Sequence, residues 1–436
     1  MALIHELSTQ TPLAEFELFA VPPTQTTVER DIITEHRPLS TVTANQPIEF
    51  AITSSPDEYI NFRETIFHLK LHLELSKGDR SNITDADWDK VYPVNNVLHS
   101  IFEQIELSIG DTQINTSHST YQYRAYLDTL LKIGKQARES YLTAGGYLSE
   151  TDRKKLFKTK ETAADKKSLG KTVELAGKLH LDLAFQNRAI LGGSNIKLKL
   201  EPARKEFYLM CTDAVLNINV VFEDASLMVH RSKVMEPIVV AHSQALNVSP
   251  AKYPINRVEV KQFSIPKGSL DVFIDNAITG QLPNRTYIAL VSNAAANGDL
   301  KKDPFKFEHF KTNFVACHYN SIQYPPKAFK PDFPKELYSR EYLSLFETAN
   351  QLNPNPEIDI SLKNYKDNTT IFGFNFSPDL APDCNTCGHA NVIKRGSLRV
   401  EMHFAEQLTE AVTVLLYAEY DCLLQITKER NGYVEF

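Results

Sequence analysis

From Phe67 to Leu75 the chain alternates without a break: Phe67, Leu69, Leu71, Leu73 and Leu75 are apolar, and His68, Lys70, His72 and Glu74 are polar. Period-two alternation puts one set on each face of a strand, so this segment specifies a half-buried strand and excludes a helix. Strand-like segments of this kind then recur in one order in two halves of the chain. VEVKQFSI (Val258–Ile265) echoes IEFAI (Ile48–Ile52), and FVACHYNSIQ (Phe314–Gln323) echoes QIELSIGDTQI (Gln104–Ile114). REYLSLF (Arg340–Phe346) echoes RAYLDTL (Arg124–Leu130), and IFGFNF (Ile371–Phe376) echoes LHLDLAF (Leu179–Phe185). GSLRVEMHF (Gly396–Phe404) answers GSNIKLKLE (Gly193–Glu201), and AVTVLLYAEYDCLLQITK (Ala411–Lys428) answers AVLNINVVFEDASLMVH (Ala214–His230). Any one echo is weak, because alternating strands resemble one another. A shared order at a displacement of about 200 residues is the mark of internal duplication.

The two copies meet at Ser232–Pro254, a stretch interrupted by Pro237, Pro250 and Pro254, which can neither donate to a strand ladder nor continue a helix. A chain of 436 residues also exceeds what one core usually serves. The division expected is an extended N-terminal arm over 1–40, a first unit over 41–232, a linker over 233–254 and a second unit over 255–436. Each unit holds about eight strands, joined by loops too long for hairpins. The fold class expected is therefore all-β with short helical insertions, as two tandem eight-stranded jelly rolls (a double jelly roll). Tyr121–Leu142 reads as one long helix, NNVLHSIFEQ (Asn95–Gln104) as a short helix capped by Asn95 or Asn96, and LFAVPPTQTTVE (Leu18–Glu29) as an extended strand lying on a surface. The last strand of each copy reads as apolar on both faces, hence covered by its sandwich partner and by the sister unit or another subunit. The Lys-rich Thr151–Lys171 reads as a solvated loop ahead of a phosphate contact or an import signal.

A formal net charge of −7 argues against a dedicated nucleic-acid binder, and no sequence-specific nucleic-acid binding is expected. No run of 18 apolar residues is present, so no transmembrane segment is expected. MALIHELSTQTPLAEF lacks the basic and apolar regions of a secretory signal, and five cysteines make no disulfide framework, so synthesis inside the cell is expected. Catalytic motifs are missing: there is no nucleophile elbow, Walker loop, H-E-x-x-H or dinucleotide fingerprint. The chain reads as a non-enzyme without a cofactor.

His68 and His72 share a strand face, as metal ligands in small barrels do, but Lys70 between them opposes a divalent cation. Cys384-Asn-Thr-Cys387-Gly-His389 has zinc-compatible spacing. A fourth ligand would have to come from His403 or a partner chain, so two free thiols on a loop, or a pair that oxidises once outside the cell, are the plainer reading. Cys211, Cys317 and Cys422 lie in apolar runs and read as small core residues.

Several longer motifs carry a resemblance: LFAVPPTQTTVE, NNVLHSIFEQIELSIGDTQI, YQYRAYLDTLL, AKYPINRVEVKQFSIPKG, GQLPNRTYIALV, REYLSLF and GHANVIKRGSLRVEMHFA. In this order, over nearly the whole chain, the sequence resembles the major capsid proteins of Polinton/Maverick elements and adintoviruses. The resemblance implies a double jelly roll of the adenovirus-like capsid lineage. It also implies a homotrimer forming pseudo-hexagonal capsomers of an icosahedral shell, with a virion location and no catalytic residues. The partners it implies are a single jelly-roll penton protein and other minor capsid proteins. The Asp383–Cys387 insertion is longer than the family's usual loop, so the C-x-x-C pair departs from the pattern. Competing readings are a carbohydrate- or ligand-binding β-sandwich, whose best feature is Trp88 in DADWD (Asp85–Asp89), a cupin-like enzyme, and a domesticated host copy.

Overall fold

The alternating segment Phe67–Leu75 lies within a strand running from Glu58 to Lys77, and its five apolar side chains are buried at 1% exposure or less. The computed structural model to which it belongs describes residues 5–9, 11, 13–78, 83–115, 118–158, 167–213, 215–380 and 388–435. Among the described residues, eight strands build the two facing sheets of the first half, beside the short strands Val91–Pro93, Lys167–Leu169 and Leu209–Cys211: β1 (Val28–His36), β2 (Ile48–Thr53), β3 (Glu58–Lys77), β4 (Phe102–Ile109), β5 (Thr112–Gln113), β6 (Val173–Gly177), β7 (Asn195–Pro202) and β8 (Leu216–Val234). Eight more build those of the second, beside the short strand Gly432–Glu435 on β16: β9 (Ala251–Ile265), β10 (Asp271–Gln281), β11 (Arg285–Ser292), β12 (Thr312–Tyr319), β13 (Ile322–Phe329), β14 (Ile371–Asn375), β15 (Arg395–Phe404) and β16 (Val412–Ile426).

The sheets of the first half have the orders β1-β8-β3-β6 and β2-β7-β4-β5; those of the second are β9-β16-β11-β14 and β10-β15-β12-β13. Adding eight to every strand number converts the first pair into the second. Every pairing is antiparallel, and in each half the first strand lies beside the last, which is the jelly-roll connectivity. The short strand Lys167–Leu169 extends β6 along β3, pairing with Glu74–Ser76 where β6 pairs with Phe67–Leu71. Residues of facing sheets fill each sandwich: Leu69, Leu71, Leu107 and Leu198 in the first, Leu290, Leu416, Val400 and Met402 in the second, all at most 1% exposed.

Four of the six echoes join topologically equivalent elements, and two do not. VEVKQFSI lies in β9, whose counterpart is β1, whereas IEFAI is β2. Val28–His36 thus falls within the segment read as an arm, yet it pairs along β8 from Val28↔Val234 to His36↔Leu227. Its sequence, VERDIITEH, hides the alternation because an edge strand keeps charges that discourage further pairing. The second mismatch is LHLDLAF, which is not a strand: Asp182–Phe185 form a 3-10 turn, and β6 is the counterpart of β14.

Helical expectations are corrected as well. The long helix ends at Lys132 (α1, Tyr121–Lys132), where Ile133 is extended and Gly134 follows. The chain then continues as the short helix Lys135–Glu139 and a 3-10 turn over Tyr141–Gly145. A β-branched residue followed by glycine favours that break. Within NNVLHSIFEQ only Val97–Ser100 is helical, and Asn96 sits left-handed at φ 57° without side-chain capping. β16 is covered on both faces, every residue but Leu423 being buried, whereas β8 alternates buried and exposed from Leu216 to Glu223 and so departs from the expectation for both last strands. Residues 233–254 contain the end of β8, helix α2 (Glu236–Leu246, with proline in its first turn) and the start of β9. Pro254 is accommodated because β9 is an edge strand. Helix α3 (Ser339–Thr348) occupies in the second half the β13–β14 connection, as α1 occupies β5–β6 in the first.

Candidate functional site: a buried ionic junction between the halves

Helix α1 is wedged between the two sandwiches. One side meets its own half through Phe207, whose ring lies 5.6 Å from that of Tyr123. The other meets the second half, with Tyr126 stacked 4.2 Å from Phe305. On the same helix Arg124, Asp128 and Lys132 recur every fourth residue and so share a face. That face is buried in the junction.

Asp128 is its centre. One carboxylate oxygen accepts from the Tyr417 hydroxyl at 2.5 Å and from the Lys132 ammonium at 3.1 Å. The other lies 3.3 Å from His180 Nδ1 and 3.7 Å from Arg124 Nε. Arg124 also pairs with Asp182 at 2.5 Å, and the same Asp182 oxygen accepts the backbone N–H of Val258 on β9 at 3.2 Å. Lys132 reaches across to Glu419 at 2.7 Å, and Glu419 binds Arg285 at 2.8 Å. Thr120, just ahead of α1, donates to the carbonyl of Val260 at 3.2 Å.

Three cations and three carboxylates thus balance inside the protein, with side chains of Asp128, Asp182 and Glu419 at most 2% exposed. Burial opposes the charge on Asp128, but Lys132, His180 and Arg124 outweigh it and hold the carboxyl well below the usual range. Burial likewise opposes the charge on Glu419, and Arg285 with Lys132 outweighs it and lowers the carboxyl. Next to this set, burial and the neighbouring His180 hold His99 well below its ordinary value, and its ring contacts the Tyr121 hydroxyl at 2.9 Å. The cluster presents no activated nucleophile. Its chemistry is that of a clamp: ion pairs cross from one half to the other, and removing any one member would leave an uncompensated buried charge.

The residues singled out from sequence stand apart from this junction. Cys384 and Cys387 lie outside the described residues. His389 is exposed, with Nε2 2.6 Å from Asp379, whose other oxygen accepts from Asn391 at 3.1 Å. His403 has both ring nitrogens against carboxylates, Asp271 at 2.5 Å and Glu401 at 3.0 Å. Among the described residues no group of three His, Cys, Asp or Glu side chains is arranged to hold a metal ion. His72 pairs with Glu223 at 2.6 Å, while His68 and Lys70 each lie 4.0 Å from Glu174, so this face is a polar ion-pair surface. Trp88 is 2% exposed and cannot serve as a stacking platform for a sugar. Cys211, Cys317 and Cys422 are buried thiols, and burial pushes Cys422 up to about 11. Sequence reasoning missed the whole junction. The available signal was the Arg124–Asp128–Lys132 spacing on a helix whose remaining positions are mostly apolar.

No family model matches the chain. A curated relative, "Uncharacterized protein F54H12.2" of Caenorhabditis elegans, is 26% identical over 434 residues, covering 95% of this chain and 99% of the relative. Among solved structures, a chain of the Sputnik virophage matches with a TM-score of 0.63 and 10% identity, over 100% of this chain and 94% of its own. The Faustovirus major capsid protein matches at 0.59 and 9%, over 94% and 92%. The mavirus major capsid protein matches at 0.56 and 10%, over 100% and 97%. At these identities the likeness concerns architecture, and together with the strand orders it gives this chain the double jelly-roll fold of those capsid proteins.

Proposed function

We propose that this chain is the major capsid protein of a double-stranded DNA virus or virus-like transposable element of the Polinton/Maverick–adintovirus group. Its role is to trimerise into pseudo-hexagonal capsomers of an icosahedral shell. The observation that carries the reading is one strand order used twice, in two halves locked together by a buried ionic junction. Three such chains around an axis present six similar units, which tile a hexagonal lattice through a closed cyclic association. The likeness to the Sputnik virophage chain and to the Faustovirus and mavirus major capsid proteins over nearly their full lengths supports it.

In this reading the first roll extends from β1 to β8 and the second from β9 to the C-terminus. Residues 13–26 form an arm that reaches a neighbouring capsomer. Leu18, Phe19 and Val21 of that arm are 77% to 96% exposed, as contacts awaiting a partner would be. A single jelly-roll penton protein and minor capsid proteins complete the shell, assembled from chains made inside the host cell. With a net charge of −7 the chain leaves the genome to other proteins or counterions. The nematode relative favours a second reading, a copy domesticated in an animal genome.

Electron microscopy of purified protein, alone and with a co-expressed penton candidate, tests the proposal. Hexagonal capsomers or closed shells are expected. A folded protein that never associates, at any concentration or salt, would remove the capsid reading.

A further inference from the structure

Helix α2, which joins the two rolls, has no buried residue. Its eleven residues include Ile238, Val239, Val240, Ala241, Ala245 and Leu246, and a single charge at Glu236. Isolated helices are stable in water only from about 12–15 residues upward, so one this short and apolar calls for a cover. Ile238, His242, Ala245 and Leu246 recur at helical spacing on one face, and beneath them opens a cleft of about 510 Å³. Its floor is Tyr59, Leu191, Val234 and Tyr253, which are 3% to 7% exposed. The Tyr59 hydroxyl and His242 Nδ1, 2.9 Å apart, tie the helix to the first roll. The rim is cationic. Arg188 donates to the Lys252 carbonyl at 2.5 Å, which sets two exposed cations together, and among the described residues no carboxylate lines the cleft.

The N-terminal arm has the complementary character. Residues 13–26 carry two acids, Glu15 and Glu17, and no cation. Between and after those acids stand Phe16, Leu18, Phe19 and Val21, each at least 69% exposed. The arm leaves its own roll at the mouth of the cleft: Thr27 and Val28 line it, and the Thr27 carbonyl accepts the N–H of Met235 at the start of α2 at 3.0 Å. The chain nevertheless does not fill its own cleft, because those apolar side chains stand in solvent. Pro22 and Pro23, whose rings fix φ, stiffen the stretch next to the exit and favour an extended course away from it. An arm that starts beside one cleft and leads away from it suits the same cleft on a second copy. Two chains facing each other across a two-fold axis can then exchange arms reciprocally.

Resting on the capsomer reading, we infer that the cleft under α2 receives the arm of a second copy of this chain in a neighbouring capsomer, with Phe16, Leu18 and Phe19 against its apolar floor and Glu15 and Glu17 toward Arg188 and Lys252. A photo-cross-link identifies the occupant. Full-length protein with benzoylphenylalanine in place of Phe19 is assembled separately from heavy-isotope and light-isotope chains, mixed, irradiated and read by mass spectrometry. Cross-links from heavy to light chains within residues 238–253 are expected. Cross-links confined to one isotope, as when each arm fills its own cleft or one in its own capsomer, would overturn the docking, as would none to this stretch. Charge reversal tests the chemistry. E15K with E17K, and R188E with K252E, alter exposed side chains only, so both should melt with wild type. In sedimentation velocity each pair should weaken association between trimers at least about 10-fold, and all four changes in one chain should restore it. Unaltered association in either pair, or no recovery in the fourfold variant, would also overturn the docking. Trimers that form without the cross-link would refute the docking and leave the capsomer reading standing, whereas a chain that never associates would refute both.

Discussion

Replacing Asp128 with Asn removes one charge from the junction with almost no change in volume. Four groups contact that carboxylate: Tyr417 at 2.5 Å, Lys132 at 3.1 Å, His180 at 3.3 Å and Arg124 at 3.7 Å. The amide retains an acceptor, but Lys132 and Arg124 are left one negative charge short around a position where the Asp128 side chain is 1% exposed. Breaking a buried pair on one side costs about 3–5 kcal/mol. At roughly 2–4 °C per kcal/mol for domains of this size, D128N should melt about 6–20 °C below wild type. Urea unfolding at pH 7 gives the free energy. The pH dependence gives a second reading. A carboxyl held low in the folded state stabilises it fully above the unfolded pKa of about 3.9, and that contribution fades as the pH falls further. The gap between D128N and wild type should therefore persist from pH 8 to about pH 5 and narrow below about pH 4. Adding K132M removes the matching cation, so the double variant should recover about 1–3 kcal/mol of the summed losses. A loss under about 1 kcal/mol for D128N, or strict additivity in the double variant, would refute the clamp.

His99 supplies an acid response. Its folded pKa lies well below the unfolded value, so the unfolded chain binds an extra proton below about pH 6.5 and stability falls, by up to about 1.4 kcal/mol per pH unit. H99Q should flatten that slope in denaturant titrations between pH 6.5 and 5. G373A places a Cβ 2.7 Å from the Thr348 hydroxyl and 3.0 Å from the Ser344 carbonyl, which should cost about 1–3 kcal/mol in thermal melts by levering α3 off β14. EDTA should leave the melting temperature unchanged, and elemental analysis should find far less than one zinc per chain. Stoichiometric zinc lost on C384S would reverse the reading of that loop.

The strands legible in sequence were those with one wet face and one dry face. Phe67–Leu75 alternates because its sheet is solvated on the outside, and the echoes containing β4, β7 and β15 follow the same logic, whereas β16 reads as an unbroken apolar run because both its faces are covered. β1 was not legible. At a sheet edge its charges prevent further pairing, and the same charges erase the apolar rhythm. LHLDLAF shows the opposite failure: an alternating pattern arose where His180 and Asp182 turn into the junction and the leucines into the core, without any strand. The junction itself was hidden because Arg124, Asp128 and Lys132 at four-residue spacing look like a solvated helix face. Only partners far away in sequence, Asp182, Arg285, Tyr417 and Glu419, make it an interior one.

The central claim, that two like rolls in one chain exist to build a ring of six from three copies, is tested most directly by the solution mass. Light scattering across a range of protein and salt concentrations should give a species of three times 49.4 kDa, stable on dilution. A folded monomer of 49.4 kDa under every condition would contradict it.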